Sequence, residues 1–164
     1  MATQLKNLSD FSHTVVPSAA NFRFGIVVAE WNAAVTRALL DGAYQSLVKH
    51  GAKEENIITY PVAGSFELIS GADLLLKNKD LDAVICLGCV IQGETRHFDF
   101  ICNAVANGIS NVSIKYTKPV IFGVLTTDNQ QQALDRAGGK HGNKGDEAAI
   151  TAIKMAEMAE TLSR

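Results

Sequence analysis

From Phe22 onward the chain repeats one rhythm: a short run of apolar and β-branched residues, a polar turn, then apolar residues at helical spacing. "FRFGIVVAE" (22–30) predicts a first strand, with Asn32 as N-cap of the helix that carries Val35, Leu39, Ala43 and Leu47 and stops at His50-Gly51. "NIITYPV" (56–62) predicts a second strand. Ala63-Gly64-Ser65 then turns into a helix with Leu68, Ile69, Ala72, Leu75 and Leu76 on one stripe. "DAVICLGCVI" (82–91) is a third strand, followed by a helix bearing Phe98, Ile101, Cys102, Val105 and Ile109. "PVIFGVLTT" (119–127) is a fourth. Asp128 and Gln131 resemble a capping box that opens a helix to about Ala137. "GGKHGNKG" interrupts, and a last helix runs from about Lys144 to Leu162. The third and fourth strands are apolar nearly throughout, as in a parallel sheet covered on both faces. The pattern therefore predicts a three-layer α/β fold, with a flavodoxin-like four-stranded parallel sheet. Residues 1–22 are polar and read as an N-terminal arm, with a short edge strand at His13–Val16; residues 23–164 read as one domain.

Composition narrows the picture. Of 164 residues, 47% are hydrophobic and 20% charged, which suits a globular domain. A net charge of −2 offers no basic field for nucleic acid or anionic lipid. No apolar run is long enough to cross a bilayer, and the N-terminus lacks a basic start followed by an apolar block, so a cytoplasmic protein is expected. Cys86 and Cys89 form a C-x-x-C, but alternation along a strand would point them to opposite faces. With Cys102 they are expected to be reduced thiols rather than a redox or zinc motif.

Chemistry gathers where the strands end. In an open parallel sheet, ligands bind beyond the carboxyl ends of the strands. Trp31-Asn32 follow the first strand, Ser65-Phe66-Glu67 the second, Gln92 to His97 the third, and Thr126 to Asp128 the fourth. Trp31 suits either a core cap or a stacking platform for a planar heterocycle. Glu67 suits either a carboxylate favoured by a helix dipole or an acceptor for ligand hydroxyls and ring N–H groups. Gly93-Glu94-Thr95 precede a helix, where free N–H groups make an anion site, although Thr95 serves equally as an N-cap. His97 is either a surface residue or a proton donor beside that anion. Arg136, Lys140, His141 and Lys144 cluster around glycines, as cations on a helix C-terminus or as an anion-binding corner. No phosphate-binding loop, dinucleotide fingerprint, nucleophile elbow or metal-ligand spacing occurs.

The stretches "FGIVVAEWN", "PVAGSFEL", "DAVICLGCVIQGETRHFDFIC" and "PVIFGVLTTDNQQQALDRAGGKHGNKGDEAA" together resemble the lumazine synthase family, over about Phe22 to Glu160 in unbroken order. The resemblance implies condensation of 5-amino-6-(D-ribitylamino)uracil with 3,4-dihydroxy-2-butanone 4-phosphate, without metal or redox cofactor. A Schiff base forms, phosphate leaves, and a second ring closes to 6,7-dimethyl-8-ribityllumazine. By the same resemblance, Trp31 stacks on the pyrimidine, and Asn32, Ser65, Phe66 and Glu67 hold the ribityl chain. Val90 and Ile91 meet the ring through backbone atoms. Glu94, Thr95 and Arg136 take the phosphate, and His97 relays protons. Phe122, Arg136 and Lys144 come from a neighbouring subunit, with Glu147 one turn after Lys144 to orient the cations.

Trp31 stands where the family usually has phenylalanine or tyrosine, and Gln92 where arginine is usual. The resemblance also implies pentamers with active sites between adjacent subunits. A sixty-subunit icosahedral shell is permitted because "RAGGKHGNKG" carries no insertion, and riboflavin synthase is the protein partner implied. The competing reading is a riboflavin or lumazine storage shell with little turnover; a weaker one is a flavin mononucleotide carrier.

Overall fold

The computed structural model describes residues 7, 9–11 and 13–163. The elements run in the expected order: β1 (Phe24–Ala29), α1 (Ala33–Lys49), β2 (Ile57–Val62), α2 (Leu68–Asn78), β3 (Ala83–Ile91), α3 (His97–Tyr116), β4 (Val120–Thr127), α4 (Gln130–Asp135), β5 (Ala137–Gly139), β6 (Gly142–Asn143) and α5 (Lys144–Leu162). The first four strands form one parallel sheet in the order β2-β1-β3-β4. The chain moves outward from β1 to β2, then returns to the other side of β1 for β3. This reversal makes the β1–β3 boundary the switch point, where the crevice of such sheets opens.

Alternation along the strands sorts the core into two layers. Ile85, Leu87 and Cys89 pack with Val35, Leu39 and Leu47 of α1 and with Ala149, Ala152 and Ile153 of α5. Val84 and Cys86 pack on the other face, with Leu68, Ala72 and Leu75 of α2 and Val105, Ile109 and Val112 of α3. Each fully buried leucine or isoleucine contributes about 1.5–3 kcal/mol, so the apolar stripes read from the sequence are what fold the chain. The two cysteines of the C-x-x-C lie in different layers. Burial pushes Cys86 up to about 12 and Cys89 up to about 11, so both are inert thiols.

Two close approaches fix the helices. A Cβ at Gly88 would lie 2.6 Å from Ser65 Oγ and 2.9 Å from Leu68 Cδ1, so glycine here lets the turn after β2 lie down on the sheet. A side chain at Gly145 would run into the Leu39 carbonyl, so α1 and α5 meet backbone to backbone.

Local detail adds to or adjusts the expectations at four places. Within the single chain His13–Val16 are not in a strand, and Val15 is 92% exposed. The capping box sits one residue later than read, because Asn129 Oδ1 accepts from the Gln132 amide while Gln132 Oε1 accepts from the Asp128 amide. The helix it opens ends at Asp135 rather than about Ala137. The glycine-rich interruption is a hairpin of β5 and β6, with Gly138 and Gly142 at φ 102° and 85°, conformations that favour glycine.

Candidate functional site

Asn32 does not cap α1 with its side chain. It takes a left-handed conformation (φ 61°), gives its backbone carbonyl to the Val35 and Thr36 amides, and sends its side-chain amide across to the Cys89 carbonyl at 2.9 Å. One amide thus ties the end of β1 to the end of β3 at the switch point. Beside it, the Trp31 indole is 73% exposed, which removes the core-cap reading. Its backbone amide donates to the Ala63 carbonyl at 3.1 Å, pinning the loop after β1 to the loop after β2.

The loop after β2 is held in the same manner. Ser65 is buried against Gly88, Phe66 is 50% exposed, and the Glu67 carboxylate turns back to accept from the Gly64 amide at 3.0 Å. Glu67 is the N-cap residue of α2. Val90 and Ile91, half-buried, end β3 on the two faces of the sheet. The Gln92 amide donates to the Thr127 carbonyl, and the Gln92 side chain folds onto the Gly93 carbonyl, so no charge is placed there.

Glu94 and Thr95 are exposed in the turn that leads into α3. Arg96, not Thr95, is the N-cap residue; the Thr95 hydroxyl accepts from the His97 amide at a long 3.4 Å. His97 opens the 20-residue α3 and is exposed. The positive end of a long helix, two exposed turn residues and an imidazole therefore share one corner, an arrangement suited to holding an anion beside a proton donor.

A second group forms after β4. Arg136 donates to the His141 carbonyl at 2.9 Å, and its guanidinium lies 2.7 Å from Glu147 Oε1. That carboxylate oxygen is buried without an aligned donor, so charge rather than a directed hydrogen bond holds it. Lys144 Nζ reaches the other oxygen, Oε2, at 3.1 Å. Asp135 accepts from the side chains of Gln131 and Lys140, which hold its carboxyl below the usual range. The basic corner is thus a built ion cluster on the hairpin, and Glu147 bridges its two cations.

The expected residues divide accordingly. Trp31, Asn32, Ser65, Phe66, Glu67, Val90, Ile91, Glu94, Thr95 and His97 line the rim at the ends of β1 to β3. Arg136 and Lys144 form the hairpin group. Phe122 belongs to neither: it is exposed on β4, five residues before Thr127 in the strand, so roughly 16 Å down from the rim at about 3.3 Å per residue. A cavity of about 900 Å³ opens at the amino ends of the strands, lined by residues such as Phe22, Pro119, Met155 and Leu162. It holds none of the expected residues, so chemistry rather than volume selects the rim. Sequence reasoning missed two features. One is the Asn32–Cys89 tie, for which the sequence carries no periodic signal. The other is the docking of Ser9 on Asn143, which joins residues 134 apart.

Comparison with known proteins shows the family of the chain. Residues 21–160 match the family model described as 6,7-dimethyl-8-ribityllumazine synthase. A protein of that name from Cytophaga hutchinsonii is 62% identical over 162 residues, covering 99% of this chain and 100% of the relative. One from Parabacteroides distasonis is 56% identical, over 94% of this chain and 97% of the relative. One from Phocaeicola vulgatus is 52% identical, over 100% and 98%.

Proposed function

The chain belongs to the 6,7-dimethyl-8-ribityllumazine synthase family, and from that premise we propose how its rim carries the reaction. The enzyme is a transferase of riboflavin biosynthesis. It joins 5-amino-6-(D-ribitylamino)uracil to 3,4-dihydroxy-2-butanone 4-phosphate and releases the lumazine, phosphate and water. The aminouracil brings its own amine, so the protein supplies orientation and proton transfer rather than a nucleophile.

The observation that carries this reading is the meeting, at the switch point, of an exposed indole and the N-terminus of a long helix opened by a histidine. The pyrimidine stacks on Trp31 and takes backbone contacts from Val90 and Ile91. Its ribityl chain lies along Asn32 and the Ser65–Glu67 loop, whose carboxylate is already turned toward the loop's own amides. The phosphate of the four-carbon substrate sits on the Glu94 and Thr95 amides and the Thr95 hydroxyl. When the amine adds to the ketone, water must leave. When phosphate departs, a proton must be removed from carbon; a proton returns as the resulting enol becomes a ketone, and a second water leaves when the ribitylamino nitrogen closes the ring on that ketone. His97, beside the phosphate, is placed for these transfers, and a guanidinium stabilises the charge that builds on the leaving oxygen.

That guanidinium is Arg136 of an adjacent copy, with its Lys144 and Phe122, so the enzyme is a homo-oligomer, a pentamer in its simplest form. Support comes from Phe122, exposed and far below its own rim, and from Trp31 and Phe66, apolar groups left open on a single chain. Three free thiols, two of them buried, suit the cytoplasm. No helix among the described residues is long and apolar enough to cross a membrane.

Mixing both substrates with the protein tests the reaction. Lumazine absorbance is expected to rise with release of one phosphate per product. A protein that binds lumazine or riboflavin but yields no product from the two substrates would instead be a storage shell.

A further inference from the structure

We propose that Ser9 is a positioning residue for the cation pair of Arg136 and Lys144. The inference rests on the reading that Arg136 receives the phosphate with Lys144 beside it, and extends it to a part of the chain outside the matched family region. Ser9 lies 134 residues from Asn143 in sequence, yet its hydroxyl accepts from the Asn143 amide at 2.7 Å and donates to the Asn143 carbonyl at 2.9 Å. One hydroxyl thereby closes both backbone groups on the outer edge of the β5–β6 hairpin. Those groups would otherwise turn to water.

Asn143 is the joint on which the cation cluster depends. Its side chain accepts from the Gly145 amide at 2.8 Å, capping α5, and donates to the Ala38 carbonyl of α1 at 2.8 Å. The next residue is Lys144, whose amide donates to the Arg136 carbonyl at 2.8 Å. With Ser9 in place, the Asn143 amide, carbonyl and both ends of its side chain each have a partner, which holds the joint that precedes Lys144 and pairs with β5.

Two further observations show that the contact is built rather than incidental. The Ser9 amide donates to Asn7 Oδ1 at 2.9 Å, and the Asp10 amide to the Asn7 carbonyl, so Ser9 is presented on a closed turn. On the hairpin side, a Cβ at Gly142 would run into the side chains of Asn7 and Ser9, so that glycine leaves space for the arm as well as serving its positive φ.

Steady-state kinetics on the assembled enzyme tests this with Ser9→Ala, Ser9→Thr and Arg136→Ala. Losing the hydroxyl removes two hydrogen bonds, so Ser9→Ala is expected to raise KM for the four-carbon phosphate about three- to tenfold. KM for the aminouracil should hold, and Ser9→Thr should restore the value. Equal changes in both KM values, or a fall in kcat alone, would overturn the positioning role. If Arg136→Ala raises the phosphate KM and Ser9→Ala does not, the arm is dismissed while the phosphate reading stands. If Arg136→Ala itself shows no selectivity, the phosphate reading fails and this inference with it. Should Ser9→Ala fail to assemble, Asn7→Ala loosens the turn while keeping the hydroxyl; a raised phosphate KM then supports the role and an unchanged one overturns it.

Discussion

At the carboxyl ends of β1, β2 and β3 the indole of Trp31, the ring of Phe66 and the imidazole of His97 stand open to solvent, whereas on the hairpin after β4 the charged side chains are locked to one another. Trp31 is 73% exposed, and among the described residues the His97 ring makes no hydrogen bond. Arg136, Lys144 and Glu147, by contrast, are joined within 2.7 to 3.1 Å and largely shielded from solvent. The difference is one of timing. Under the proposed function a planar ring and a phosphate arrive at the open half, and Trp31 and His97 acquire partners only then. The cationic half is oriented beforehand, one of its two positive charges offset by Glu147, so little ordering remains to be done when an anion binds. Half-sites of such opposite character, carried on different ends of one chain, fit a pocket closed by two copies.

The strongest way to break this comparison is to put the halves on different subunits. His97→Ala and Arg136→Ala chains should each lose about a hundredfold in kcat/KM. If the site is shared, co-assembling them in equal amounts should return about a quarter of wild-type activity, the share of sites that draw both intact residues. Activity no higher than the mean of the two parents would place both residues in one chain's site.

A smaller effect isolates the locked half. Glu147→Gln removes the bridging charge while keeping the shape, and should raise KM for the phosphorylated substrate about tenfold. An unchanged KM would show that the hairpin alone orients the cations.

The smallest effect belongs to the open half. Trp31→Ala should weaken binding of the lumazine product by about three- to tenfold, read by fluorescence titration. Unaltered affinity would mean that the ring rests elsewhere.

Much of this was legible in the sequence because burial enforces period. Alternation in "DAVICLGCVI" and the stripes of Leu39, Leu47, Leu68 and Ile153 leave few other ways to hide the apolar surface, and all four residues are fully buried. The same alternation separated Cys86 from Cys89. The rim was legible because strand ends are where polarity changes abruptly, as at Gly93. What escaped were single polar contacts between distant segments. Asn32 reads as a cap because asparagine caps helices, but a neighbouring strand offered its carbonyl to a residue already in the left-handed region. The hairpin of three and two residues is too short for any periodic signal. The capping box moved by one residue because both Asp128 and Asn129 can start a helix. Ser9 carries no pattern at all; only the folded chain brings it to Asn143.

The contact at Gly145 sets a rule for engineering. With no room for even a methyl group between α1 and α5, the beginning of the last helix is a keyed joint, and any graft or label placed there would prise apart the scaffold that carries the cations. Toward its far end the same helix emerges into solvent, where Glu157 to Ser163 are exposed. Cargo, tags and fusion partners belong at that end.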